Sequence, residues 1–161
     1  MDWLVERRDT LVELWFNRLM ESYPEQASLL LKRQKDPFAN PVGTTFRRDL
    51  ATLFDFITGT AESAAFDKAL DNICRIRSVQ DFTPSQAIGF VFQLKEILRE
   101  QMDNSSQQQA LENVIDQLAL RAFDAYQHCR EELAQVRVNE AHRRTDALVR
   151  QLNSRNEAEQ A

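Results

Sequence analysis

The C-terminal part of the sequence carries one long helical pattern, and this pattern limits the possible folds more than any other feature. It predicts a helix over residues 106–153, with apolar side chains every three or four positions at Leu111, Ile115, Leu118, Ala122, Tyr126, Cys129, Leu133 and Val136. Such a helix is about 70 Å long at about 1.5 Å per residue, whereas a compact domain of this size is about 40 Å across. We therefore expect the helix to extend beyond its own domain.

The apolar stripe of this helix ends before the helix does. Beyond Val136 the same face continues mainly with charged residues such as Glu140 and Arg143. The last residues of the chain are too polar to form a packed structure. We therefore expect a domain over residues 1–136, followed by a C-terminal helix extension and frayed tail over residues 137–161.

Glycine and proline are scarce, which favours helices over sheets. The 161-residue chain has 3 glycines and 4 prolines, against averages of about 7% and 5%, and a sheet protein with many tight turns needs more. Apolar spacing predicts further helices over about 2–22, 24–35, 44–58, 61–77 and 84–102. The sequence therefore predicts an all-α fold, a helical bundle with a long C-terminal helix.

Local capping signals place two of these helices. Thr83 can cap the helix that Pro84 begins, and Gln86 completes a capping box. This helix is apolar around most of its circumference, so we expect several neighbours to cover it at the centre of the bundle. Thr44 or Thr45 is the expected cap of the helix over 44–58.

The charge and the cysteine content limit which partners and which cellular compartment are expected. A net charge of −5 argues against a nucleic-acid binder. The first residues lack the apolar core of a signal peptide, and no apolar stretch reaches the roughly 18–20 residues of a membrane span. Cys74 and Cys129 are interpreted as buried thiols, with a regulatory thiol pair as the alternative. We expect a cytoplasmic protein that is not membrane-embedded and binds no nucleic acid.

The sequence contains none of the usual catalytic or nucleotide-binding motifs. The two histidines, His128 and His142, each lie four residues from an aspartate, Asp124 and Asp146, on one shared helical face. That face could hold a metal ion or a haem, but its many charged residues favour a solvated surface. We therefore expect a protein that is not an enzyme, with no catalytic residue, no metal and no cofactor.

Residues 36–43 form the one irregular segment, Asp-Pro-Phe-Ala-Asn-Pro-Val-Gly. Pro37 and Pro41 stiffen the backbone, Phe38 is expected to anchor the loop in the core, and Asn40 to hydrogen-bond its own turn. The segment is either a rigid connector between helices or a sensing or docking surface. The flanking cations either compensate helix dipoles or bind a phosphate or an acidic partner; they are Lys32, Arg33, Lys35, Arg47 and Arg48.

Three segments together resemble a known family. They are Leu-Trp-Phe at 14–16, Ser-Tyr-Pro at 22–24 and the ten residues at 34–43, and they resemble the N-terminal sensor domain of the RsbRD-type stressosome proteins, as does the helical layout of the whole chain. The resemblance implies a globin-like helical domain that binds no haem and forms a dimer. In that family the last helix leads to a STAS domain with phosphorylatable residues. No STAS sequence follows here, so we expect a stand-alone sensor domain.

The sequence thus proposes two sets of functional residues. The candidate sensing or docking surface comprises Trp15, Tyr23, Asp36, Pro37, Phe38, Asn40 and Pro41. The candidate dimer interface comprises Leu120, Phe123 and Val138, which lie away from the main apolar stripe and would be exposed in a monomer. In the competing arrangement, Leu120 and Phe123 pack against the chain's own first helix.

These observations lead us to expect a non-enzymatic sensor or protein-interaction domain that works as a homodimer. Two alternatives stay open. The first is a globin-type sensor that binds a small ligand or haem. The second is a structural adaptor of a membrane redox complex, since similar stand-alone domains occur beside respiratory redox genes of anaerobes.

We predict that the purified protein is colourless. A globin places its haem-binding histidine in the middle of the chain, and no histidine precedes His128. An absorbance spectrum after expression with haem supplied checks this. A Soret band near stoichiometric intensity would contradict it.

Overall fold

The computed structural model describes residues 2–102 and 106–159, and this part of the chain is helical without a strand. The all-α prediction is therefore confirmed. The helices are α1 (Asp2–Glu6), α2 (Arg8–Met20), α3 (Glu25–Arg33), α4 (Pro41–Ile57), α5 (Ser63–Ser78), α6 (Pro84–Ile88), α7 (Phe90–Gln101) and α8 (Ser106–Glu159).

Two of the expected helices are each divided in two. The first breaks at Arg7 into α1 and α2, and the central one breaks at Gly89 into α6 and α7. Glycine weakens a helix because its backbone loses the most freedom on ordering. The capping box at the start of α6 is confirmed: Thr83 Oγ1 accepts from the Gln86 N–H, and the Gln86 side chain accepts from the Thr83 N–H.

The helix after the irregular segment begins earlier than expected. α4 starts at Pro41, and its cap is Asn40, so the expected cap at Thr44 or Thr45 is wrong. Proline suits the first helical position, because the N–H that it lacks would have no partner inside the helix. The second proline of the segment therefore starts a helix instead of interrupting one.

The core lies between α2, α4, α5 and α7, and α8 covers one side by packing against α5, α6 and α7. Trp15 is fully buried, donates from Nε1 to the Phe90 carbonyl oxygen at 2.6 Å, and stacks on the Phe90 ring. A buried indole needs such an acceptor for its one polar group. α7 is less covered than expected, since Phe92 on its outer side is 45% exposed.

The long C-terminal helix is one unbroken element. α8 has 54 residues and is therefore about 80 Å long. It continues to Glu159, beyond the expected end at 153, because its sequence contains neither proline nor glycine. All side chains of residues 134–155 are exposed, so this part of α8 lies outside the bundle.

α8 leaves the bundle before the end of its apolar stripe. Cys129 is the last buried residue of the helix, Leu133 is half-buried, and Val136, the last residue of the apolar stripe, is 54% exposed. The reason is that α5, against which α8 packs, ends at Ser78, whose carbonyl oxygen accepts from Arg130 at 3.1 Å. Two residues further on, Glu132 still pairs with Arg75 of α5 at 3.0 Å, and from residue 134 to residue 155 every side chain of α8 is exposed.

Ion pairs join α7 to the start of α8. Arg99 holds both carboxylate oxygens of Glu112, at 2.7 and 2.8 Å, and Lys95 lies 3.7 Å from the same carboxylate and 2.8 Å from Asp116. The bidentate Arg99 guanidinium lowers the pKa of Glu112 to about 2. Two-point contacts of this kind are the stronger form of ion pair.

We predict that Glu112→Gln lowers the melting temperature at pH 7 and that the difference disappears in acid. The folded protein holds the Glu112 pKa at about 2, below the ordinary value of 4.5. The stabilisation is therefore present above that ordinary value and is lost as the pH falls through the folded pKa. Thermal melts across this pH range measure it. Glu140→Gln, in the exposed part of α8, serves as the control, and an equal loss at all pH values would contradict the prediction.

Candidate functional site

The irregular segment between α3 and α4 is a closed turn held by its own side chains. Asp36 Oδ1 accepts from the Phe38 N–H at 3.0 Å, and the Asp36 carbonyl oxygen accepts from the Asn40 N–H at 2.9 Å. The Asp36 N–H in turn donates to Gln34 Oε1 at 3.1 Å. An aspartate that bonds the backbone two residues on is a standard way to fix a turn. These hydrogen bonds fix residues 36–40 within the segment itself.

Asn40 joins the end of α3 to the start of α4. Its side chain is buried, with Oδ1 accepting from the Gly43 N–H at 2.8 Å and Nδ2 donating to the carbonyl oxygens of Leu31 and Gln34 at 2.9 and 2.8 Å. A Cβ atom on Gly43 would lie within 2.8 Å of three atoms of this side chain. Asn40 therefore requires glycine at position 43. The expectation that Asn40 bonds its own turn is met by this cap.

Phe38 is exposed, and the expectation that it anchors the loop in the core is wrong. Its side chain is 97% exposed at the tip of the turn. The turn needs no apolar anchor, because Asp36 and Asn40 already supply its closing hydrogen bonds. Among the described residues, no contact gives the Phe38 side chain a structural role.

The other expected members of this surface lie in two different places. Asp36, Pro37 and Pro41 are exposed beside Phe38, whereas Trp15 is fully buried and cannot touch a partner. Tyr23 is half-buried; its hydroxyl donates to Gln80 Oε1 at 2.8 Å and its ring meets Phe82 edge-on. Trp15 therefore belongs to the core and is not itself accessible to a partner.

Leu120, Phe123 and Val138 lie on the outer side of α8. They are 61%, 46% and 47% exposed, so Leu120 and Phe123 do not pack against the chain's own first helices. Between Phe123 and Val138 the same face carries Gln127, Arg130 and Ala134. Beyond the bundle it continues from Val138 at alternating steps of three and four residues through Ala141, Thr145, Leu148 and Leu152. This spacing is typical of a helix that pairs with another helix. We call Leu120, Phe123 and Val138 together with these last four residues the outer face of α8.

A buried arginine was missed by the sequence analysis. Arg77 is fully buried and donates to the carbonyl oxygens of Gln86 and Ala87 at 2.8 and 2.7 Å and to Ser22 Oγ at 3.2 Å. Its guanidinium also lies over the Phe82 ring. Burial lowers the pKa of Arg77, and no carboxylate of the described residues pairs with it. The signal was present, since Arg77 follows Leu70, Ile73 and Cys74 on the apolar face of α5.

The cysteines and histidines differ in their environments. Cys74 and Cys129 are both buried, as interpreted, and burial raises the pKa of the Cys74 thiol to about 12. His128 and His142 are exposed. Within residues 2–102 and 106–159, no group of three His, Cys, Asp or Glu side chains is placed to hold a metal ion. None of the helices in this part of the chain has the length and apolar character needed to cross a bilayer.

Two substitutions in the turn distinguish residues that stabilise the fold from the exposed residue at its tip. We predict that Asn40→Ala lowers the free energy of unfolding by about 1–3 kcal/mol, because α4 loses its cap and two carbonyl oxygens lose their donor. Phe38→Ala should change it by less than about 0.5 kcal/mol, as at other exposed sites. Urea unfolding followed by circular dichroism measures both values. A loss of several kcal/mol for Phe38→Ala would show that the ring is buried.

Comparison with known proteins gives one match. The sequence model of the family described as the RsbT co-antagonist protein rsbRD N-terminal domain matches residues 9–141. No curated protein and no solved structure matches, so the globin-like arrangement stays a prediction implied by the resemblance. The match covers α2 to α7 and the bundled part of α8, including the turn at 36–43 and Arg77. The chain therefore belongs to the rsbRD N-terminal domain family, a family of sensor and signalling domains of the stressosome type.

Proposed function

We propose that this chain is a non-enzymatic, cytoplasmic sensor and protein-interaction domain that works as a homodimer. Two copies pair through the outer faces of α8, with Leu120, Phe123 and Val138 against their symmetry mates. The observation that carries the proposal is that exposed apolar side chains lie on one side of α8, Leu120 and Phe123 on the bundle and Val138, Leu148 and Leu152 beyond it. The domain passes its signal to another protein, and membership of a signalling-domain family supports this.

The free part of α8 supports pairing on physical grounds. Residues 134–155 span about 33 Å with every side chain exposed, whereas helices in proteins gain most of their stability by packing one face against a neighbour. Apolar side chains in alternating steps of three and four allow two such helices to cover each other. One patch that meets itself across a twofold axis is the commonest way in which soluble proteins associate.

A parallel pair fits the position of the outer face better than an antiparallel one. The face begins at Leu120, where α8 still packs on the bundle, and it runs to Leu152 near the free end. In a parallel pair each residue of the face meets its own mate, and both bundles lie at one end. The two C-terminal ends then leave side by side, where they can pass a signal on.

The remaining helices connect the turn at 36–43 to this pair. The turn leads directly into α4, α4 packs on α5, and α5 packs on α8. A change in the position of α4 would therefore move α5, the helix against which α8 packs. This supports a role for the turn as the docking or sensing end of the domain, with Phe38 at its tip.

A small-ligand sensor is the second candidate, favoured by one cavity. A cleft of about 400 Å³ lies between the end of α2 and the start of α7 and is lined by Ser22, Arg77, Phe90 and Gln93 among others. No donor among the described residues bonds the buried Oε1 atom of Gln93 there. Mass spectrometry of material that co-purifies with the protein distinguishes an occupied cleft from an empty one.

Light scattering after gel filtration tests the homodimer. We predict a mass of twice 18.7 kDa at micromolar concentration, and a mass of one chain for the double variant Leu120→Asp, Phe123→Asp, because buried carboxylates without partners disfavour the interface. Val136→Asp is the matched control, since Val136 lies two residues from Val138 and so on the opposite side of α8. A wild-type mass near 18.7 kDa would overturn the dimer.

A further inference from the structure

Exposed apolar side chains lie in the turn at 36–43 and on the preceding helix α3. Phe38 is 97% exposed, and Leu29 and Leu30 on α3 are 42% and 62% exposed. The two leucines line a shallow depression together with Gln34, and Gln34 Oε1 accepts from the N–H of Asp36 at 3.1 Å. The turn that carries Phe38 thus begins at the edge of this depression.

The apolar side chains are presented on a preorganised backbone. Asp36 closes the turn on one side of Phe38, and buried Asn40 fixes the other side to both α3 and α4. A partner that contacts Phe38 therefore pays little conformational entropy for ordering the loop. An aromatic side chain held in this way is the typical anchor of a protein interface.

The structure divides the five cations near the turn into two groups. Arg47 donates to the Lys32 carbonyl oxygen at 2.9 Å and lies over the Phe16 ring, and Arg48 binds Asp49 at 2.7 Å. These two arginines stabilise the fold. Lys32, Arg33 and Lys35 form no ion pair with any described residue, so their charges are free to act on a partner.

We propose that Leu29, Leu30, Phe38, Lys32, Arg33 and Lys35 form a docking surface for an acidic peptide segment with apolar side chains on a protein partner. The apolar side chains supply contact area, and the three cations select negative charge and speed the encounter. The inference rests on the proposed function in that both make the chain a protein-interaction domain. It does not require the dimer.

The charge of the whole chain favours a peptide over an anionic membrane. The net charge is −5, so a broad anionic bilayer would be repelled by the protein as a whole, and three cations give only a weak attraction to such a surface. A short acidic segment meets only the local positive charge. A lipid surface is therefore the competing outcome of the test.

Selection from a random peptide library displayed on phage tests the partner's chemistry. The library is selected on the wild-type protein and depleted on Phe38→Ala, whose fold is checked by circular dichroism. We expect the recovered peptides to be enriched in Asp and Glu together with apolar residues. Recovery of uncharged or basic peptides, or no enrichment at all, would overturn the proposal.

Fluorescence anisotropy with the most enriched peptide, labelled and synthesised, tests the residues. Phe38→Ala should weaken binding at least about tenfold, and the triple variant Lys32→Gln, Arg33→Gln, Lys35→Gln should weaken it and reduce its dependence on salt. Phe92→Ala, which removes an exposed aromatic ring on α7, is the matched control and should bind as the wild type does. Equal binding by wild type and Phe38→Ala would overturn the docking surface.

Two further measurements separate the competing outcomes. Cosedimentation with phosphatidylglycerol vesicles that is lost in Phe38→Ala, without peptide binding, would assign the surface to lipid and overturn the proposal. Peptide binding is also measured on the Leu120→Asp, Phe123→Asp variant. We expect it to persist there, so that a failed dimer and a failed docking surface give different results.

Discussion

The structure depends on one mismatch of lengths, that between α8 and the bundle against which it packs. Up to Cys129, α8 buries its apolar stripe against α5, α6 and α7. At Ser78 the neighbouring α5 ends, and all side chains of residues 134–155 of α8 are exposed. Neither proline nor glycine follows Cys129, so no residue breaks the helix where the bundle ends. The exposed half of α8 and its outer face follow from that constraint.

In the turn at 36–43, the residues around Phe38 hold the backbone and leave the Phe38 side chain exposed. Asp36 closes the turn, Asn40 caps α4 and holds the end of α3, Pro41 occupies the first helical position, and Gly43 leaves room for Asn40. Each of these roles is internal to the scaffold. Phe38 is exposed because the other residues of the turn already hold its backbone, and its ring is available for an interaction.

Arg77 joins parts of the chain that apolar contacts alone would position less specifically. Its donors meet two carbonyl oxygens in α6 and the hydroxyl groups of Ser22 and Tyr23 after α2. A buried guanidinium is unfavourable unless its hydrogen bonds are satisfied. The fold therefore brings these acceptors together in one arrangement, and the neighbouring cleft with Gln93 results from the same meeting of α2, α6 and α7.

The sequence by itself determined the all-α class, the capping box at Thr83 and Gln86, and a last helix that extends beyond its domain. These features depend on local spacing and on residues within one helical turn, which a sequence displays directly. The exposure of Phe38, the burial of Arg77 and the point at which α8 leaves the bundle were decided only by the tertiary structure. A loop residue has no periodicity to show which way it faces, and the burial of an arginine depends on acceptors elsewhere in the chain. The end of a packed face likewise depends on where a neighbouring helix stops, because burial is a property of two elements and not of one.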